Sequence, residues 1–296
     1  MQSLHYAVTA LALGLITVWA SENWFWFIPP PGLTPFEFGI TALAYAIASA
    51  CVLSAVILTG VGGWPAAFLG GAMLGYLVEG VVVGTIYEGF PLQLVWTPLA
   101  WHGLITGGVV LGLGRAGFSA PKLVLIWGAL GLIGAYWAQY WPVERPVLPG
   151  TPELAIYLVV LGGLVVLGQL ILDREQALPR PPLWVICVAP GLMALLWWYQ
   201  VIAGFVPQML AFPLLMGLLV WVMWRLGRGP QGSVLGQPGG WRHGLFLIAP
   251  AVAVGLAPMG WGLGLGPLAS NWVVAVGTGL LSLGMLGRLI WRAVRG

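Results

Sequence analysis

The stretch WPAAFLGGAMLGYLVEGVVVG, residues 64–84, carries the features that decide the fold. It is long and apolar enough to cross a bilayer, which takes about 20 helical residues. Ala67, Gly71 and Gly75 recur every four residues and therefore share one face of a helix. Small residues on one face let a second membrane helix approach closely. We predict close helix packing here, and a groove that accommodates a ligand is the alternative.

The composition extends this prediction to the whole chain. Hydrophobic residues make up 60% and charged residues 6%, against roughly 25% charged residues in soluble domains. Apolar runs between breaks predict an all-α, polytopic integral membrane helical bundle with about ten transmembrane helices. Too few residues remain for a soluble domain, so residues 1–296 should form a single transmembrane domain. The predicted spans are residues 4–20, 38–60, 64–84, 94–114, 122–142, 153–172, 183–204, 206–225, 244–262 and 268–290.

The positive charges give the orientation. With ten spans, one side has only Arg145, and the other has Arg115, Lys122, Arg174, Arg180, Arg225, Arg228, Arg242, Arg288, Arg292 and Arg295. Short basic loops stay in the cytoplasm, so we expect both termini to be cytoplasmic. No basic residue precedes the first apolar run, which we expect to be a retained helix rather than a signal peptide. For so compact a chain we expect a multi-pass protein of the cell membrane, the plasma membrane rather than an organelle.

The formal net charge of +3 is spread over helix ends, which indicates anchoring to the bilayer and not nucleic-acid binding. The sequence has no metal or cofactor motif, and we expect no cofactor. Asp173, the only aspartate, is predicted in a cytoplasmic loop far from His102, which argues against Ser/His/Asp catalysis. Cys51 and Cys187 are expected to be small buried apolar groups.

The outer half of the predicted bilayer holds an unusual concentration of polar residues. Glu79 and His102 lie on consecutive helices, about 7 and 12 Å below the outer boundary at 1.5 Å per residue. Together with Glu88 in the loop between them, they are the candidate proton-exchange or acid/base groups. We expect Glu79 to face the protein interior, protonated or paired with a donor such as His102. The alternative is a structural hydrogen bond to a neighbouring helix.

Other polar and aromatic residues should approach the same region. The inner half offers little beyond Gln169, so we expect a pocket open to the outside or to the outer leaflet. If the helices do not converge, these are ordinary interfacial residues. The candidate substrate-binding residues are Tyr76, Tyr87, Gln93, Trp101, Tyr136, Gln139, Tyr140, Gln200 and Asn271.

The first outer loop is predicted to be SENWFWFIPPPG, residues 21–32. Its three prolines favour an extended conformation, and its aromatic run suits the headgroup region. The loop could form a lid over the pocket, or the aromatic residues could anchor helix ends at the membrane surface.

Three functions fit these features. The first is a secondary transporter or exporter of a small or lipidic substrate, in which Glu79 with His102 changes protonation. The second is a membrane-embedded enzyme that acts on a lipid or isoprenoid substrate, with Glu79 or Glu88 and His102 as acid/base groups. The third is a non-catalytic subunit of a membrane complex. The expected partners are the lipid bilayer and a lipid or isoprenoid ligand; the sequence leaves the oligomeric state open.

Overall fold

The computed structural model describes residues 1–175, 178–228, 233, 235–264 and 270–295, and no strand occurs in these ranges. Within them, ten helices are long and apolar enough to cross a membrane, as expected for a multi-pass membrane protein. In chain order, α1 to α10 are Gln2–Trp26, Pro35–Thr59, Gly63–Val82, Gln93–Leu113, Ala120–Glu144, Thr151–Arg174, Leu183–Gly204, Pro207–Leu226, Gly240–Gly262 and Ser270–Arg295.

Contacts between loops define two sides of the bundle. His5 near the start of α1 forms an ion pair with Glu175, which follows α6. Arg225 at the end of α8 donates from Nε to the Ala293 carbonyl oxygen at the end of α10, over 2.8 Å. Both chain ends therefore lie on the side that carries most Arg and Lys residues, called here the basic side. The opposite side is called the outer side. That the basic side faces the cytoplasm stays a prediction from the charge asymmetry.

The closest helix contact joins α3 and α4, the helices richest in buried residues. A Cβ atom on Gly107 would overlap the Ala67 carbonyl oxygen, and one on Gly71 would overlap the His102 carbonyl oxygen. At Gly75 an added Cβ would lie 2.8 Å from the His102 Cβ atom. The predicted close approach through Ala67, Gly71 and Gly75 is thus confirmed, and it lets the two backbones touch.

Around this pair, the side chains form two apolar clusters that share α1, α4 and α10. One cluster joins α2 and α3 to parts of α7, α8 and α10. The other joins α4, α5, α6 and α9. Only 17% of the most apolar part of α7 is buried, against 78% of α3. Because α7 packs on one narrow face, Cys187 is exposed there and the expectation that it is buried was wrong, whereas Cys51 on α2 is buried.

The predicted loop of residues 21–32 is helical as far as Trp26. Trp24 and Phe27 are fully buried, because their rings find partners inside the bundle rather than at the membrane surface. Helix α1 ends at Phe27, whose φ of 61° is unusual for a residue with a side chain. The prolines that follow lack the N–H needed to continue the helix. A belt of aromatic residues at the membrane surface does not describe this segment, because its rings pack inside the bundle.

Two carboxylates and one imidazole lie in widened, π-helical turns, and the phenol of Tyr157 lies in a fourth such segment, Ala155–Val160. Glu22 lies in Trp19–Asn23, Glu79 in Val78–Val82, and His102 in Trp96–Leu113. Such turns are rare and are frequent at functional sites. The local backbone therefore singles out Glu22 together with the two residues that the sequence suggested.

Gly107→Ala tests the α3–α4 contact. The added methyl group has no space against the Ala67 carbonyl oxygen, so we expect a loss of about 1–3 kcal/mol, the usual cost of overpacking. Gly128→Ala on α5 is the control, because nothing lies within 4 Å of its added Cβ atom. Thermal unfolding of both variants in lipid nanodiscs should give a lower Tm for the first only. Equal Tm values would contradict the packing described.

Candidate functional site

His102 lies in a buried hydrogen-bond network near the middle of the bundle. Its Nε2 atom lies 3.1 Å from the Tyr45 hydroxyl of α2, and its Nδ1 atom lies 3.0 Å from the Thr97 carbonyl oxygen. The Tyr45 hydroxyl is also 2.9 Å from Oε1 of Glu22 on α1. Trp26 donates from Nε1 to the other carboxylate oxygen of Glu22, over 3.0 Å. Three helices thus bring a carboxyl, a phenol and an imidazole into one line.

Sequence analysis missed two members of this network. Glu22 was placed in an outer loop because the aromatic residues after it resembled a membrane-surface segment. Tyr45 is a single phenol in an apolar helix, and only the packing of α2 against α1 and α4 gives it a polar role. The continuation of the apolar run beyond Glu22 was the one available signal.

Glu79 is not the partner of His102. Its carboxylate accepts a hydrogen bond from the hydroxyl of Thr85, in the short Thr85–Tyr87 helix that follows α3. Glu79 is only partly buried, and it lies near the outer end of α3. Its geometry matches the structural alternative, a local hydrogen bond, more closely than pairing with His102. Glu88 is exposed in the next loop and contributes no contact to His102.

Several candidate substrate-binding residues already bond to the protein itself. Tyr76 donates to the Leu94 carbonyl oxygen over 2.7 Å and so links α3 to α4. Tyr87 donates to the Gly80 carbonyl oxygen over 2.9 Å, and burial raises the pKa of its phenol to about 12, which keeps it a donor at neutral pH. Trp101 is fully buried and donates to the Ala20 carbonyl oxygen of α1 over 3.2 Å.

The remaining candidates are distributed over the outer half of the bundle. Gln139 and Tyr140 are buried on α5, whereas Tyr136 on the same helix is 38% exposed. Gln200 donates to the Val81 carbonyl oxygen over 2.7 Å and so joins α7 to α3. Asn271 caps the neighbouring Trp272 N–H at the start of α10. Gln93, Gln139 and Gln200 each keep a buried side-chain oxygen without a hydrogen-bond partner in the described structure.

Aromatic rings close the outer half between α1, α4 and α5. Phe25 lies 5.0 Å from Trp101 and 5.5 Å from Trp137, and those two indoles are 5.2 Å apart. Trp96 and Tyr140 pack against the same Trp137 ring, at 5.4 and 4.8 Å. These five rings are called the aromatic seal. It occupies the place where the sequence predicted an outward-open pocket.

A cavity of about 480 Å³ lies on the other side of His102. Its volume falls within the usual range of small-molecule sites, about 300–1,000 Å³. Its walls come mainly from α1 to α4 and are largely apolar, with Val52 and Trp64 among them. None of the candidate substrate-binding residues lines it. The inner half of the bundle, for which the sequence predicts few polar residues, therefore holds this cavity. Glycines such as Gly70 and Gly112 line it and have no side chain to fill it, so the residue types gave no sign of the space.

The deep end of the cavity reaches the level just below the His102 network. Thr17 and Ser49 line it and bond to each other over 3.1 Å. Ser49 lies one helical turn from Tyr45 on α2. Gly71, which also lines the cavity, packs against the backbone of His102. The cavity floor and the polar network thus share helices and are close neighbours.

The mouth of the cavity carries a buried cluster of charged residues. Arg115 lines the cavity and lies 3.0 Å from Asp173 at the end of α6. His243 at the start of α9 lies 3.0 Å from the same carboxylate. Asp173 also accepts from the backbone N–H groups of Gly239 and Gly240, over 3.0 and 2.8 Å.

This cluster holds the segment that precedes α9, residues 235–239, in place through hydrogen bonds. The Leu235 carbonyl oxygen accepts from Nε of Arg115, and Gln237 donates its N–H to the Arg115 carbonyl oxygen over 2.7 Å. Leu235 and Gln237 both line the cavity. The sequence predicts Asp173 in a loop, far from His102, and does not indicate these partners. Their positions, 58 and 70 residues away (173 − 115 and 243 − 173), gave no local signal.

Comparisons with known proteins found no resemblance: no family model matches the chain, and no match was found among curated proteins or solved structures. The chemistry of the site therefore rests on its own geometry.

Asp173→Asn tests the cluster at the cavity mouth. The amide cannot balance Arg115, and loss of one partner of a buried ion pair typically costs about 3–5 kcal/mol locally. We expect the Gly239 and Gly240 amides to exchange hydrogen for deuterium at least tenfold faster, as measured by mass spectrometry. Glu153→Gln is the control, because this exposed carboxylate lies at the opposite end of α6. Unchanged exchange in Asp173→Asn would show that the segment is held by other contacts.

Proposed function

We propose that this protein is a membrane carrier that moves a small, largely apolar or lipidic molecule across the cell membrane. The cavity of about 480 Å³ is the observation that carries the proposal. Its lining extends from Arg115 and Gln237 on the basic side to Thr17 and Ser49 near the middle of the bundle. In this proposal the cavity opens to the basic side and the aromatic seal closes the outer side, as alternating access requires of one conformational state.

The lining supports the choice of substrate. Its walls are mostly aliphatic and aromatic, and polar groups occur mainly at its two ends. Thr17 and Ser49 lie at the floor, and Arg115 lies at the mouth. An apolar body with one or two polar groups would match this distribution. A strongly polar sugar or nucleotide would leave many of its hydrogen-bonding groups without partners, which is costly in an apolar site.

The outer half also supports a second, outward-open state. Buried amide oxygens of Gln93, Gln139 and Gln200 lack partners in the described structure. An unsatisfied buried polar group costs about 1–3 kcal/mol. Opening of the outer half would let water or substrate reach these oxygens and recover part of that energy. In this proposal, the candidate substrate-binding residues contact the substrate in the outward-open state.

The enzyme alternative has less support. It needs Glu79 or Glu88 to act with His102, but Glu79 bonds to Thr85 and Glu88 is exposed. The subunit alternative predicts that the protein becomes unstable without partners. Monodisperse behaviour after expression alone would count against it.

Val52→Trp tests whether the cavity holds the transported molecule. The indole would fill space between α2 and α3, so molecules that co-purify with the wild type in native lipid should be lost by at least tenfold, as quantified by mass spectrometry. Val160→Trp is the matched control, because Val160 on α6 is 66% exposed on the bundle surface. Flux of the identified molecule into vesicles should fall in parallel. Equal retention and flux in both variants would refute a role for the cavity.

Thiol labelling tests which side reaches the cavity floor. In a background with Cys51→Ala and Cys187→Ala, Ser49→Cys should react with a small membrane-impermeant maleimide added from the basic side. Ser21→Cys is the control, because Ser21 bonds to Thr106 and does not line the cavity, whereas Ser49 does. Labelling of Ser49→Cys from the outer side alone would contradict the proposed state.

A further inference from the structure

Two hydrogen bonds join Glu22, Tyr45 and His102 in one line, and the hydrogens that they require can be counted. The oxygen atoms of Glu22 and Tyr45 are 2.9 Å apart, and the Tyr45 oxygen is 3.1 Å from Nε2 of His102. Each of these distances is that of a hydrogen bond and therefore requires one hydrogen between the two heavy atoms. The line needs two hydrogens in total.

Thr97 determines how many hydrogens the imidazole can supply. Nδ1 of His102 lies 3.0 Å from the Thr97 carbonyl oxygen, which can only accept. Nδ1 must therefore carry a hydrogen; the tautomer is assigned from this partner. In a neutral imidazole, the other nitrogen then has no hydrogen and acts as an acceptor. Neutral His102 thus adds no hydrogen to the line.

With Glu22 ionised and His102 neutral, the line is one hydrogen short. The Tyr45 hydroxyl has one hydrogen, which can bond to the carboxylate or to the imidazole but not to both. One added proton completes the line in either of two arrangements. If the added proton is on Glu22, the carboxyl donates to Tyr45 and Tyr45 donates to His102. If the added proton is on His102, Nε2 donates to Tyr45 and Tyr45 donates to Glu22.

The charges around the line favour the added proton. Without it, Glu22 leaves a net charge of −1 inside the bundle. The other titratable groups that act on Glu22 and Tyr45 from neighbouring helices are Glu79 on α3 and Tyr157 on α6, and neither brings a positive charge. Each ion pair found among the described residues lies on the basic side. An uncompensated charge at membrane depth costs at least a few kcal/mol, which one proton removes.

We infer that Glu22, Tyr45 and His102 bind one shared proton, and that this proton is the coupling ion of the carrier. The second part rests on the function proposed above. Tyr45 links the two end groups, so a joint shift of both hydrogens moves the proton from Glu22 to His102. Ser49 lies one helical turn below Tyr45 at the cavity floor. The cavity floor thus lies one helical turn from the proton site, and in this proposal the proton leaves towards the basic side by way of the cavity.

Nitrogen NMR of the histidines tests the shared proton directly. The chain has three histidines, so a sample labelled only at histidine gives few signals, and His5→Gln and His243→Gln identify the two others. In lipid nanodiscs, we expect the wild-type His102 signal to keep hydrogen on Nδ1 and to change at Nε2 when pH removes the shared proton. Glu22→Gln supplies an amide donor in place of the carboxylate, so the pH response of His102 should disappear.

Two further variants separate this result from a general disturbance. Tyr45→Phe removes the link, so His102 should become insensitive to the Glu22→Gln change when both substitutions are combined. Glu79→Gln should keep the pH response of His102 and move it to lower pH, because Glu79 acts on Glu22 and Tyr45 through its charge but bonds to Thr85 and not to this line. A His102 titration that is the same in the wild type, Glu22→Gln and Tyr45→Phe would overturn the shared proton.

Vesicle flux then distinguishes the site from the carrier. With the molecule that co-purifies as the probe, a pH gradient should drive accumulation in the wild type, and Glu22→Gln should retain downhill flux but lose at least tenfold of this accumulation. If the wild type shows downhill flux that does not depend on the pH gradient, coupling to the proton is overturned while the carrier proposal stands. A confirmed NMR response without any flux would overturn the carrier proposal and leave the proton site.

Discussion

The contact between α3 and α4 is the constraint on which the rest of the molecule depends. Small residues let the two backbones touch, which fixes His102 against Gly71 and Gly75. Lipid gives helices no hydrophobic reason to associate, so such close packing is what holds a membrane bundle together. The same small residues leave space beside them, and the cavity lies there. Tight packing on one face of α3 and open space next to it therefore have a common origin in glycine and alanine.

The two ends of the bundle are held by different chemistry. On the outer side, aromatic rings meet at centroid distances near 5 Å and exclude water. On the basic side, Arg115, Asp173 and His243 hold the segment before α9 with charged hydrogen bonds. The polar line of Glu22, Tyr45 and His102 lies between these ends. In the proposed carrier, ring packing closes the outer side, and charged hydrogen bonds hold the segment beside the cavity mouth on the basic side.

Sequence patterns predicted the parts of this structure that depend on neighbouring residues. Apolar runs predicted ten helices, and the spacing of Ala67, Gly71 and Gly75 predicted close packing. The network was only half visible, because Glu22 and Tyr45 are 23 residues apart and Tyr45 and His102 are 57 apart. The hydrophobic periodicity of one helix does not show which of its faces meets two other helices. The sequence did not predict the cavity for the same reason, because its walls come from several helices.

The depth of the cavity has an electrical consequence. When water fills it, the potential of the basic side extends towards its floor near Ser49. The transmembrane voltage then falls almost entirely across the outer half, between the polar line and the outer surface. A unit charge that crosses the full potential exchanges about 2.3 kcal/mol per 100 mV. A proton that enters through the aromatic seal would then cross a larger share of the potential over a shorter distance, so the closed end of the molecule is also where the membrane field is strongest.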